Sequence, residues 1–193
     1  TLNSKFTLYF ILIALTPSIF LGIIGLVLIN FGINDWFNSK INNVINNSVF
    51  AAESYLEEHK ETIKGDVYAM YNDLNSSSDV LSNDNNKLAI ALRTQSLIRA
   101  LPEVYVITRQ GAISAKAFDN NILQYSPPEN SFVRADAGEM AIMSSTIVNK
   151  VYALVKLKNY ENSYLFAGRS MDANVISALN DTISAKNEYT FLE

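Results

Sequence analysis

Cysteine is absent from these 193 residues. No disulfide and no thiolate metal centre can form, and the compartment must be read from other signs. Histidine occurs once, at His59. One imidazole makes no cluster, and the H-E-x-x-H spacing of a zinc helix is missing, so no metal site is expected. No stripe of lysine and arginine runs along the chain, and the net charge is -4. That balance argues against nucleic acid as a partner, since neutralising phosphates takes clustered cations. No G-x-S-x-G elbow marks a nucleophile. Glu57 and Glu58 point different ways around a helix and make a poor general acid/base couple. The run from Asn83 to Asn86 lacks the Gly and Glu of a calcium loop and reads as a turn. Tripeptides starting at Asn46, Asn75 and Asn180 match glycosylation acceptors, but asparagine is abundant enough here for chance matches.

The most telling absence is local. From Phe6 to Asn34 no side chain is charged. Wound as a helix, that run reaches on the order of 40 Å, more than the roughly 30 Å of a bilayer's hydrocarbon core. The pattern predicts a retained transmembrane helix over residues 6–34. A cleaved signal has an apolar core of about 7–15 residues ending at small residues, whereas this run leaves through Asn30-Phe31-Gly32-Ile33-Asn34. Lys5 before the span and Lys40 after it, beside Asp35, are too few to set its orientation. Ala14, Ser18 and Gly22 recur every four residues, with Gly25 one turn on. They are either a face for close helix approach or the ordinary composition of a span. Pro17 removes one helical hydrogen bond and predicts a kink. The initial Thr suggests a piece of a longer protein.

The rest, 35–193, is enough for one core. Ile41, Ile45, Ala52, Leu56, His59, Ile63, Val67, Met70 and Leu74 fall three or four apart, with Ser48 filling the one gap, an apolar stripe that predicts one long helix over 35–75. Glu53, Glu57, Glu58, Lys60, Glu61 and Lys64 lie off the stripe and read as a solvated face. Gly65 is a weak point, costing about 1 kcal/mol against Ala. A second helix is expected from Asn85 to Ala100, capped by Asn83 or Asp84 and stopped by Pro102. Then the period changes. Val104–Thr108, the turn Arg109-Gln110-Gly111 and Ala112–Phe118 form a hairpin. A loop over Asp119–Asn130 and a short helix near Phe132–Ala137 precede three strands, Met140–Val148, Val151–Lys158 and Ser163–Arg169, with turns at Asn149-Lys150 and Tyr160-Glu161-Asn162. The sheet thus occupies 101–170, and Asp172 caps a return helix over 172–190. In the fourth strand Val151, Ala153, Val155 and Leu157 share one face, and Tyr152, Leu154, Lys156 and Lys158 the other. That alternation predicts an antiparallel sheet covered on one side only. The fold class is α+β.

Tyr105, Arg109, Tyr152, Lys156, Tyr164 and Arg169 come from strands or turns that should neighbour one another. Aromatic walls with convergent cations suit a carboxylate or other anion. The plainer alternative is a surface sheet dotted with Tyr and Lys.

Three groups of residues carry a resemblance. The first is Gly32-Ile33-Asn34-Asp35-Trp36-Phe37. The second is Ala52-Glu53-Ser54-Tyr55-Leu56-Glu57-Glu58-His59 with Met70, Asp73, Leu74 and Asn75. The third is Leu101-Pro102-Glu103-Val104-Tyr105-Val106-Ile107 with Gly111, and Tyr164-Leu165-Phe166-Ala167-Gly168-Arg169. On these the chain resembles the N-terminal sensor region of the NtrY family, membrane-bound nitrogen-regulation sensor histidine kinases. The resemblance implies a PAS-like sensor of the Cache kind, periplasmic and tethered to a bacterial inner membrane. After it would come a second span, a HAMP linker, a PAS domain and the ATP-binding kinase domains. It implies ATP and Mg for the parent kinase, and NtrX as the response regulator. The chain departs from the kinase pattern: His59 is followed by Lys60, not by an acidic residue and a proline turn, and no glycine-rich ATP lid is present. Nothing catalytic is carried over.

The expected function is therefore an extracytoplasmic sensor region. A shift of the sheet on the long helix is passed to a kinase, with Ile41, Ile45, Leu56 and Ile63 aligned in a homodimer. The rivals are a membrane-anchored, chemoreceptor-like ligand-binding or interaction module without kinase output, and a tethered enzyme.

Overall fold

Most of the charge-free run is helical. Helix α1 spans Leu2–Val27 with Pro17 inside it. Its stretch Lys5–Val27, 23 residues at a mean hydropathy of 2.5 and none of it buried, is long and apolar enough to cross a bilayer. The computed structural model describes residues 2–29, 34–120, 122–145 and 147–192. The expected membrane exit at 30–33 lies outside the described residues.

The chain divides into two units, Thr1–Val49 and Phe50–Glu193. The first holds α1 and the opening turns of α2, a single 43-residue helix over Asn34–Ser76. The second holds the rest of α2 and everything after it. Short α3 (Ser78–Leu81), not expected from the sequence, leads to α4 (Asn85–Ile98). Asp84 is the α4 cap, its carboxylate accepting from the amides of Asn86 (3.0 Å) and Lys87 (3.1 Å). Strands β1 (Glu103–Thr108) and β2 (Ile113–Lys116) make the expected hairpin. Helix α5 (Glu129–Asp136) begins directly after Pro128, earlier than periodicity suggests. Strands β3 (Ala141–Ser145), β4 (Lys150–Lys156) and β5 (Ser163–Ser170) come next, then α6 (Ala173–Leu192). Asp172 caps α6 by accepting from Asn174 N at 2.8 Å. Asn149 and Asn162, at φ of 49° and 48°, take the left-handed positions in the two late turns.

All strand pairs are antiparallel, in the order β2-β1-β5-β4-β3. Alternation sends Val104, Val106, Val151, Ala153, Leu165 and Ala167 to one face. There they pack with Ile63, Val67, Met70 and Leu74 of α2 and Leu88 and Leu92 of α4. The other face carries Tyr105, Ile107, Tyr152, Leu154, Tyr164 and Phe166, packed with Phe132 and Ala135 of α5. Here the structure corrects the sequence reading: both faces are covered, not one. Tyr152 and Leu154 are fully buried. Lys156 ends its strand, and its charge made a covered face look half polar.

Gly168 sits where the sheet has no room. A Cβ there would lie 2.7 Å from Tyr152 Cε1 and 3.1 Å from Glu103 Oε2. At Gly65, in α2, a Cβ would meet nothing within 4 Å. The same substitution should therefore act with opposite signs. Gly168→Ala is expected to lower stability by about 1–3 kcal/mol through overpacking, and Gly65→Ala to raise it by about 1 kcal/mol through helix propensity. Urea unfolding of the detergent-solubilised chain, followed by tyrosine near-UV circular dichroism, reads both. Equal effects would refute the close approach at Gly168.

Candidate functional site

Three of the six expected site residues meet on a carboxylate that the sequence did not single out. Asp136, at the end of α5, accepts from Lys156 Nζ (2.7 Å) and Tyr164 OH (2.8 Å) through Oδ1, and from Arg109 Nη1 (2.7 Å) through Oδ2. Arg109 also donates its Nε to Glu129 Oε1 at 3.1 Å. Sheet register explains the convergence. Tyr164 lies opposite Ile107 of β1 and Lys156 of β4, and Arg109 is two residues beyond Ile107, at the same end of the sheet. Glu129 and Asp136 are seven residues apart, two turns along α5, so both carboxylates look at the same rim. That spacing was the signal the sequence offered.

The electrostatics agree with the geometry. The Lys156 hydrogen bond, then that of Tyr164, holds the Asp136 carboxyl below its ordinary range. Lys156 is raised in return, chiefly by its bond to Asp136. Arg109 is raised by its hydrogen bond to Glu129. Burial, helped by the bond to Asp136, pushes the Tyr164 phenol up.

Tyr105 and Tyr152 belong to a different cluster on the same face. Tyr125, Tyr152, Phe166 and Tyr105 form a run of near-parallel rings, with successive centroids 4.6, 5.2 and 6.3 Å apart. Tyr105 donates to the carbonyl of Ile122 at 3.2 Å, and burial pushes its phenol to about 12. The Tyr152 hydroxyl is buried without a hydrogen-bond partner among the described residues, and burial raises it too. Beside this stack, Lys150 of β4 donates to Glu103 of β1, and both side chains are largely buried.

Arg169 does not join either group. It lies five residues from Tyr164, an odd number, so it faces the helix side of the sheet. There its Nη2 donates to Asp66 Oδ2 of α2 (2.6 Å) and to the carbonyl of Arg99 (2.7 Å). Arg99 in turn reaches Asp73 of α2 at 3.0 Å, and Tyr160 OH donates to the carbonyl of Leu74 at 2.9 Å. These bonds tie the last turns of α2 to β5, to the end of α4 and to the turn between β4 and β5.

Between α2 and the Asp136 end of β4 lies a cleft of about 970 Å³, within the size range of small-molecule sites. One wall is helical, with Glu61, Lys64, Gly65, Tyr68, Tyr71 and Asn72; the other holds Asp136, Lys156, Lys158, Met140, Val155, Leu157 and Tyr160. The helical residues repeat three and four apart, a second stripe beside the apolar one, where the sequence suggests solvated surface.

Of the residues expected along a helix seam, Ile41 and Ile45 are half-buried and share a shallow apolar groove with Trp36, Lys40 and Val44. Leu56 packs partly against the core, and Ile63 is wholly buried within it. Ile63 is therefore committed to the protomer's own sheet and is unavailable to a partner. His59 is half-buried with its ring 4.4 Å from that of Tyr55, and its Nδ1 has no hydrogen-bond partner among the described residues.

Comparison with known proteins places these observations in a family. The family model described as the NtrY N-terminal region matches residues 2–193. NtrY-like sensor histidine kinases of Rickettsia conorii and Rickettsia felis are each 30% identical over 194 residues, covering 100% of this chain and 32% of theirs. The nitrogen regulation protein NtrY of Azorhizobium caulinodans is 28% identical over 185 residues, 95% of this chain and 24% of that protein. The chain spans about a third or less of the length of the curated relatives it matches.

The Asp136 hub sets an acid limit. A carboxyl freed by unfolding titrates near its ordinary 3.8, while the folded one titrates lower. In that window the unfolded chain binds more protons, so the stability contributed by the hub is full above it and lost as pH falls through the folded value. Asp136→Asn is expected to melt below the wild type near pH 7, with the gap narrowing as pH falls below the ordinary carboxylate value of 3.8. Thermal melts across pH check this; a gap independent of pH would remove the hub from the acid response.

Proposed function

The chain belongs to the NtrY family, matched from residue 2 to residue 193, and on that premise we propose that 35–193 is its signal-receiving domain. The domain is PAS-like, of the Cache kind, and lies in the periplasm, held by the span 6–34 in a bacterial inner membrane. The parent protein is an ATP- and Mg-dependent histidine kinase that phosphorylates an NtrX-like response regulator. No kinase chemistry belongs to this region.

One observation carries the mechanism. Helix α2 is a single element from Asn34 to Ser76, and four residues of its last turns, Ile63, Val67, Met70 and Leu74, are at most 1% exposed in the sheet's core. The Asp66–Arg169 and Asp73–Arg99 pairs fix the same turns laterally. A change in the sheet is thus a change at the helix. Two packings of sheet on helix, differing by a shift of about 1–2 Å, are enough to bias a kinase if the signal favours one of them. Two protomers align through Ile41 and Ile45, which share the exposed groove near the start of α2, and with Leu56 form the homodimer seam.

The test is helical phase. Each residue inserted in α2 between Asn46 and Asn47 rotates the remainder of the helix by roughly 100°. Kinase autophosphorylation of the full-length protein in nanodiscs should change with one or two inserted residues and return toward the wild type near seven, about two turns. Replacing 41–47 by Gly-Ser repeats should uncouple it. Output indifferent to both would end the proposal of a rigid connection.

A further inference from the structure

The α2–β4 cleft has a composition that selects its occupant. Three ammonium groups, Lys64, Lys156 and Lys158, face two carboxylates, Glu61 and Asp136. Lys64 is held by Glu61 at 2.9 Å and Lys156 by Asp136 at 2.7 Å. Lys158 makes no ion pair among the described residues. Its backbone amide donates to Asn75 Oδ1 at 3.1 Å, which fixes it against the last turn of α2. The donor group of the same Asn75 side chain, Nδ2, is buried and has no hydrogen-bond partner among the described residues. This end of the cleft therefore carries one positive charge uncompensated by any ion pair among the described residues, with the buried, unpaired amide of Asn75 behind the lining. Apart from Asn72, the rest is apolar or aromatic, with Met140 and Leu157 on the sheet side, and the Tyr68 and Tyr71 rings, 6.1 Å apart and 24° from parallel, on the helix. Gly65 leaves the helical wall open, since a side chain there would meet nothing. The glycine that weakens α2 is what gives the cleft its width.

We propose that this cleft binds a small organic monoanion, a carboxylate carried on a ring-sized apolar body. The carboxylate sits at Lys158 and the body lies between the tyrosines and Leu157. Such a molecule touches α2 and β4 together, so it favours the packing in which the two walls are closest. The assignment deepens the sensor function and rests on it for its consequence, though not for its binding.

The probe is sodium phenylacetate, titrated by calorimetry into the full chain in nanodiscs. Phenethylammonium chloride keeps the body and reverses the charge; sodium acetate keeps the charge and drops the body. Phenylacetate should bind saturably and both controls at least about ten-fold more weakly, as expected when charge and apolar contact each contribute about 1.4 kcal/mol. Gly65→Phe fills the open wall and should abolish binding. Lys158→Gln, an exposed and fold-neutral change, should weaken it about five-fold or more, in line with a charge-assisted hydrogen bond. Equal binding of phenethylammonium, no binding of phenylacetate, or binding unchanged in both variants would overturn the proposal. The insertion series in α2 needs no ligand. Phase-dependent kinase output with no phenylacetate binding would sink the ligand class alone, and binding without phase dependence would sink the signalling route alone.

Discussion

Four side chains of one helix, Ile63, Val67, Met70 and Leu74, are sunk in the valine- and alanine-rich face of the sheet, and the second unit is organised around that contact. Full burial of each such side chain is worth about 1.5–3 kcal/mol, so the set contributes an amount comparable to the net stability of a whole domain. The sheet face opposite α2 is built from small and β-branched residues. A domain that loses this helix loses one wall of its core. The helix is a structural member of the domain first, and any role in transmission derives from that.

Polar groups surround this apolar contact without entering it. Arg169 and Arg99 bind carboxylates of α2 from the sheet side, and Asp136 gathers three donors at the far rim. Most of these pairs are partly exposed, where a single ion pair adds little to stability. Their value is geometric. Each has one residue on α2 or α5 and one on the sheet or a turn beside it, so together they define where helices sit along the strands. The apolar contact alone would leave that sliding coordinate softer.

Local signals in the sequence translated well. The stripe from Ile41 to Leu74 is one helix, Asp84 is a cap, and Asn149 sits in a left-handed turn. The features that did not translate depended on distance along the chain. Asp136 is twenty residues from Lys156 and twenty-eight from Tyr164, and only the strand order brings them to one end. Arg169 looked like a partner of Tyr164 because both belong to β5, yet an odd separation puts them on opposite faces. The second core around Tyr152 and Phe166 was hidden by the segment leading into α5. Its prolines and polar residues read as a surface loop, while its Leu123 and Tyr125, with Phe132 of α5, pack onto the sheet. The cleft was written in α2 as a second periodicity, but charged residues at helical spacing ordinarily mean solvent.

Where the return helix begins, the amide of Asp172 donates to the hydroxyl of Tyr55 on α2, 2.9 Å away and 117 residues earlier. The start of the return helix is therefore tied back to α2 by this hydrogen bond, and one turn on, Ile176 enters the core that α2 shares with the sheet. The strand that leads into this junction, β5, is the central one, held by β1 on one side and β4 on the other, so a displacement at the junction meets both ladders at once.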